Sequence, residues 1–277
     1  MKRPMLLKTI QICLVLIAIA IWLPPSLVAH TKTEQLSKKT PLVTVPFVGC
    51  KADGQVGPIA APKGPGTVVQ LAAVAAQRLA YYKAENCPGV LAPRGWHGFE
   101  TYGSNGSSLF VTPQPIKRDD LFSEHFVGFT GPCIQVSRIY GSTSGRFEVA
   151  RIIARVFPKQ MEFVRSVIKE KIEPAGDFPS GPYRKDHLTY RNENIVEYHT
   201  PPQSEGLGTQ QSRLRQNRDP IDGAVILQDP ASDDVSLVAV RLPADSIDLK
   251  STIIQQFEQE NSSRSASTSA SSSASKH

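Results

Sequence analysis

Asn105-Gly106 constrains this chain more than any other pair of residues. Trp96, Phe99 and Tyr102 precede it, and Leu109, Phe110 and Val111 follow. Aromatic and β-branched residues on both sides of Asn-Gly are the strongest short-range signal for a β-hairpin, because both turn residues tolerate positive φ. The chain must therefore build antiparallel sheet around this point. The whole stretch from Pro88 to Pro113 is dense in Gly, Pro, Asn and Ser, and reads first as shape.

Other segments extend the pattern. "PCIQVSRIYG" alternates as a strand, and "LTYRNENIVEYH" predicts a hairpin turning near Asn192 to Asn194. "DGAVILQDPASDDVSLVAVRLP" predicts two apolar strands joined at residues 229–234. "RFEVARIIARVF" places Val149, Ile152, Ile153 and Val156 on one helical face, opposite Arg151 and Arg155. "PKQMEFVRSVIKEKIE" starts a second helix at Pro158, with Met161, Val164, Val167, Ile168 and Ile172 inward. "DLKSTIIQQFEQE" predicts a short helix burying Ile253, Ile254 and Phe257. Thr67 to Gln70 resembles a capping box before the alanine-rich "VVQLAAVAAQRLAYYKAE", so a helix is expected from Val68 until Asn86-Cys87-Pro88-Gly89 ends it. "VPFVGCKADGQVGPIAAPKGPG" holds enough Gly and Pro to predict an extended loop. Helices and hairpins do not strictly alternate. The expected class is α+β, antiparallel hairpins packed with three or four amphipathic helices.

The ends predict a location. Lys2, Arg3 and Lys8 precede an apolar run from Ile10 to Leu23, broken by Pro24 and Pro25, with a small residue at Ala29. That order is a secretory leader over residues 1–29, too short to cross a bilayer core as a helix. A periplasmic or secreted bacterial protein is expected, touching membrane only if the leader is kept. Removing three positive charges and no negative ones lowers the formal net charge from +6 to +3. That balance does not predict a nucleic-acid binder. Residues 30–45 read as a polar linker and 46–260 as a single domain. Residues 261–277, almost all Ser, Ala and Thr, read as a disordered tail. In an oxidising compartment Cys50, Cys87 and Cys133 predict one disulfide and one leftover thiol, with the pairing open.

Several groups could carry chemistry. Arg94, Trp96 and His97, with Tyr102, offer a cation, aromatic plates and an imidazole for an anionic or sugar-like ligand. Trp96 equally suits a core plug, and His97 a solvated position. His199 with Ser204 and Glu205 supplies the parts of a base and nucleophile, although Ser-Glu-Gly-Leu-Gly is not a hydrolase elbow. Asp119, Asp120, Glu124 and His125 crowd one segment, but their spacing matches no calcium loop. Arg213 to Asp219, "RLRQNRD", is a basic cluster that reads as a solvated loop able to touch an anionic envelope polymer. No metal motif and no cofactor motif stand out.

The strings "VPFVGC", "LAYYKAENCPGVLAPRGWHGFETYGSNGSSLFVTP" and "HTPPQSEGLGTQQSRL" resemble a set of uncharacterised, signal-bearing bacterial proteins over most of residues 45–260. The resemblance implies export and no activity. In that pattern a Cys follows Trp-His, where this chain has Gly98, leaving Cys87 or Cys133 open as partners of Cys50. The leading expectation is an exported, non-catalytic binding or structural module. A secreted hydrolase using His199 or His97 with a hydroxyl such as Ser204 is the alternative. An assembly accessory with an exposed apolar patch is the third.

Overall fold

A run of residues buried on both faces of the backbone has to sit in the middle of a sheet, and two such runs organise this molecule. The computed structural model describes residues 41–228 and 233–273, with side chains as far as residue 262. The expected leader, most of the expected linker and the turn at 229–232 lie outside the described residues.

The N-terminal part contains β1 (Leu42–Val45), β2 (Phe47–Gly49), β3 (Lys51–Gly54) and β4 (Thr67–Gln70). After these come α1 (Ala73–Arg78), β5 (Leu79–Lys83) and β6 (Val90–Pro93). The central hairpin is β7 (His97–Gly103) and β8 (Gly106–Thr112), followed by α2 (Arg118–Leu121) and β9 (Cys133–Ile139). Two helices, α3 (Arg146–Val156) and α4 (Met161–Lys169), lead to β10 (His187–Tyr190) and β11 (Ile195–Thr200). The chain closes with α5 (Leu207–Gln210), β12 (Ile221–Leu227), β13 (Val235–Arg241) and α6 (Lys250–Ser273).

Eight strands form one sheet in the order β10-β11-β12-β13-β9-β8-β7-β3, antiparallel except for β3 beside β7. All seven residues of β12 and of β13 are buried, as the centre of a covered sheet requires. One face packs on α3 and α4 through Val225, Leu237, Ala239, Ile152, Ile153 and Val164. Each fully buried Ile or Leu there contributes roughly 1.5–3 kcal/mol of apolar burial. The other face packs on α6 through Ala224, Ile226, Val238, Ile253 and Phe257. On that side also lies a small sheet, β2-β5-β6. The α+β class expected from the sequence is the class observed.

The Asn-Gly hairpin forms with Gly103 opposite Gly106, so Ser104 and Asn105 make the turn. Within the hairpin, positive φ falls on Gly106, at 143°, where a Cβ would lie 2.1 Å from the Arg138 carbonyl oxygen. Its glycine thus serves the close approach of β9 as much as the turn.

Other expectations need correction. The helix foreseen from Val68 is a strand, one short helix and another strand. Leu79, Ala80 and Tyr82 are buried between β6 and β2, and that pairing overrides alanine's helical preference. Arg94 then closes α1, its side chain donating to Ala76 O at 2.7 Å and Leu79 O at 3.0 Å. The expected loop after Val45 contains β2 and β3, and β1 lies within the expected linker. Ile172 is 63% exposed because α4 stops at Lys169 and Lys171 takes a positive φ of 56°. Helix α6 runs from Lys250 to Ser273. No described helix is long and apolar enough to cross a membrane.

The expected disulfide is absent among the described residues: Cys50, Cys87 and Cys133 are all free and buried. Cys133 packs with the α3 face of the sheet and the other two with the α6 face, so it can reach neither. The Cys50 and Cys87 thiols point to different carbonyls, those of Val48 and Val136. Burial pushes both thiols up to about 12, which suppresses the reactive thiolate. At Gly98, a Cβ would lie 2.1 Å from Cys50 Sγ and 3.1 Å from Cys50 Cβ. Bridged cysteines hold their Cβ atoms about 3.5–4.5 Å apart, within a small relaxation of this spacing. Refolded with oxidised glutathione, Gly98→Cys should therefore join the introduced thiol to Cys50 in a disulfide, with two equivalents of reduced glutathione released, read by thiol titration and peptide mapping. Gly98→Val should instead lower stability by about 1–3 kcal/mol through overpacking.

Candidate functional site

The α3 face of the sheet changes character toward β7. Over β11, β12 and β13 it is apolar and covered by helix. Over β7, β8 and β9 it carries Thr101, Ser108, Gln135 and Ser137, which strand pairing sets side by side: Thr101 opposite Ser108, and Ser108 opposite Ser137. Ser108 and Ser137 hydroxyls are 2.8 Å apart, and Gln135 Nε2 donates to Ser137 Oγ at 2.9 Å. Above them lies a cavity of about 390 Å³ walled by the 210–213 segment and by Glu148 in the first turn of α3.

That segment is stitched down. Arg213 N donates to Gln135 Oε1 at 2.6 Å, and Phe129 N donates to Arg213 O at 2.7 Å. Leu214 is fully buried, and the buried Arg241 donates to Arg215 O. The basic cluster is a loop whose Arg213, Arg215 and Arg218 side chains are exposed while its backbone is anchored, and Arg213 lines the cavity. Desolvation raises the Glu148 pKa, with Arg151 and Arg213 pulling it back down. Tyr102 stands at the rim with its hydroxyl donating to Gly57 O at 2.6 Å, and Phe110 supplies an apolar patch.

A second cleft, of about 270 Å³, opens on the α6 face at the other end of the sheet. His199 Nδ1 lies 2.8 Å from Asp222 Oδ1, and Lys250 Nζ lies 2.9 Å from Asp222 Oδ2. The His187 and His199 rings lie side by side, centroids 5.9 Å apart and planes tilted by 33°. Arg191 Nε donates to Glu197 at 2.8 Å. Behind this pair stands Glu258 of α6. Burial first, then the charge and hydrogen bond of Glu197, hold its carboxyl up at about 7.

The four residues expected to bind a ligand do not share one pocket. Tyr102 belongs to the polar cavity, whereas Arg94 and Trp96 line a cleft of about 530 Å³ among Pro93, Pro113, Pro132 and Pro243. Trp96 packs against the core, and His97 is exposed at the start of β7. His199 lines the second cleft, but Ser204 and Glu205 do not. Ser204 is buried, and its hydroxyl donates to the backbone carbonyl of Pro202 at 3.1 Å. Asp119 is 92% exposed beside Arg118. Among the described residues no three His, Cys, Asp or Glu side chains form a metal-holding group.

The residues missed from sequence are Ser108, Gln135 and Glu148 in one site, and His187, Asp222 and Lys250 in the other; Arg213 was singled out only as part of a basic cluster. Each is unremarkable alone, and strand register, with α3, α6 and the 210–213 segment, brings them together. Polar Gln135 and Ser137 inside an otherwise apolar strand were the available signal.

No family model, no curated protein and no solved structure matches the chain. Function must therefore be argued from these side chains.

Glu258 gives one direct consequence. A carboxyl raised in the folded state contributes stability that is fully present below its ordinary pKa near 4.5 and is lost as pH rises through about 7. The melting temperature should fall between pH 5 and pH 8, and Glu258→Gln should flatten that fall, as measured by calorimetry at matched ionic strength.

Proposed function

We propose that this chain is an exported, non-catalytic binding module for a small hydroxyl-rich ligand, taken up in the polar cavity over β7, β8 and β9. One observation carries the reading: where only the first turn of α3 and the 210–213 segment reach over the sheet face, the space between holds hydroxyls, amides, a carboxyl and a guanidinium beside Phe110 and Ile139. Buried polar groups cost free energy unless they are paired, so a cavity lined with them favours an occupant rich in donors and acceptors. Gln135, Gln210 and Gln211 can each donate and accept, Ser108 does both, Glu148 accepts, and Arg213 donates. Phe110 adds the apolar surface that a sugar ring stacks against. A monosaccharide-sized unit of an envelope polymer meets these demands, and Arg213 favours one with a carboxylate.

Export rests on the order of charge, apolar run and small residue at residues 1–29. The three buried thiols are compatible with an oxidising compartment, because burial keeps them as unreactive thiols. A hydrolase finds less support. His199 has its orienting carboxylate in Asp222, but Ser204 lies outside that cleft.

The test is titration of the full chain with neutral hexoses, amino sugars and uronic acids, read by ligand-observed and amide NMR. Binding should shift amides around Ser108, Gln135 and Arg213. Glu148→Gln and Gln135→Ala should each weaken it about tenfold or more, the loss of one hydrogen bond involving a charged or buried group. Absence of saturable binding by any sugar class, or shifts confined to the Trp96 cleft, would overturn the reading.

A further inference from the structure

Strand register places His187, His199 and Asp222 in one row on the α6 face. His187 is opposite His199 across β10 and β11, and His199 is opposite Asp222 across β11 and β12. Directly opposed residues share a face, with Cβ atoms about 4.5–5.5 Å apart. Two of the four histidines among the described residues are thus neighbours, and they open into the cleft described above.

We infer that His187 and His199 form a site for a divalent first-row transition metal ion, with Zn²⁺ or Cu²⁺ as the fitting class. This site is separate from the polar cavity and does not rest on the ligand proposed there. Four features support it. Two imidazole nitrogens about 2.0–2.1 Å from one ion place their ring centroids roughly 5–6.4 Å apart, and the observed separation is 5.9 Å. The His199 Nδ1 bond to Asp222 at 2.8 Å fixes the tautomer that leaves Nε2 with its lone pair. A ligating histidine bonded through its other nitrogen to a carboxylate is the usual outer arrangement at such centres. The cations lining the cleft are engaged with anions, Lys250 with Asp222 and Arg191 with Glu197, so the imidazoles are the donors left to an incoming ion. With two protein nitrogens, the remaining coordination positions fall to water or a ligand atom. Imidazole donors favour Zn²⁺ and Cu²⁺ over Ca²⁺ or Mg²⁺.

The experiment titrates the full chain with Zn²⁺ alone by calorimetry and with Cu²⁺ alone by electron paramagnetic resonance. Expected is one saturable Zn²⁺ site and a Cu²⁺ spectrum with nitrogen hyperfine splitting from two imidazoles. His187→Ala, at an exposed position, should weaken Zn²⁺ binding at least tenfold without changing the melting temperature of the metal-free protein. His199→Ala should do likewise for binding. Asp222→Asn should weaken it about 10–100-fold while leaving both nitrogens in place. A double His97→Ala, His125→Ala variant should bind as the unaltered protein does. No saturable Zn²⁺ heat, binding undiminished in His187→Ala, or loss in the His97/His125 variant would each overturn the assignment. Sugar titration of His187→Ala should be unchanged, which separates failure here from failure of the proposed ligand-binding role.

Discussion

The pairing of β9 with β13 holds this structure together. Residues 133–139 lie antiparallel to 235–241 in unbroken register from Val235 opposite Ile139 to Arg241 opposite Cys133. It joins the hairpin half of the sheet, β7 to β9, to the meander β10 to β13, across about a hundred residues of chain. Such a contact has a large loop-closure cost, and apolar burial on both faces offsets it. Val136 and Val238 face α6, while Leu237 and Ala239 face α3. Arg241 at the end of β13, fully buried, ties the 129–130 and 215 backbone to the same edge.

Both candidate sites follow from that continuous sheet. A row of directly opposed residues runs His187, His199, Asp222, Val240, Ile134, Val111, Gly98 from one end of the α6 face to the other. Its middle is apolar core, its polar end is the histidine cleft, and its last member makes room for Cys50. On the opposite face the row Thr101, Ser108, Ser137, Leu237 runs from polar cavity into apolar core. Helices cover the centre, and chemistry gathers where cover stops. The sheet therefore sets which polar residues become neighbours, and the loops, as at Arg213, complete the walls.

Local patterns were legible in the sequence. Alternation in 133–139, the helical face of Val149, Ile152, Ile153 and Val156, and the turn near Asn105 each depend on neighbours a few residues away. The failures were non-local. Val68 to Lys83 has helical composition, yet Leu79 and Tyr82 are worth more to the fold as strand residues against β6. The disulfide arithmetic failed for a related reason: chain position does not say that Cys133 and Cys50 face opposite sides of one sheet. Site residues divide the same way. His199 does line a cleft, but its neighbours there are His187 and Asp222, not Ser204. Glu148 was invisible because nothing near it in the chain marks it, whereas polar Gln135 within an apolar strand was a signal passed over.

The most direct test of this account is amide hydrogen exchange across the sheet. If β9 and β13 form the closing, doubly covered pair, amides of Ile134, Val136, Leu237 and Val238 should exchange only through global unfolding. Those of the edge strand β10 should exchange through local opening at much lower free energy. Exchange in β9 and β13 as fast as in β10 would contradict the account, because the two halves of the sheet would then not be held by the pairing on which both sites depend.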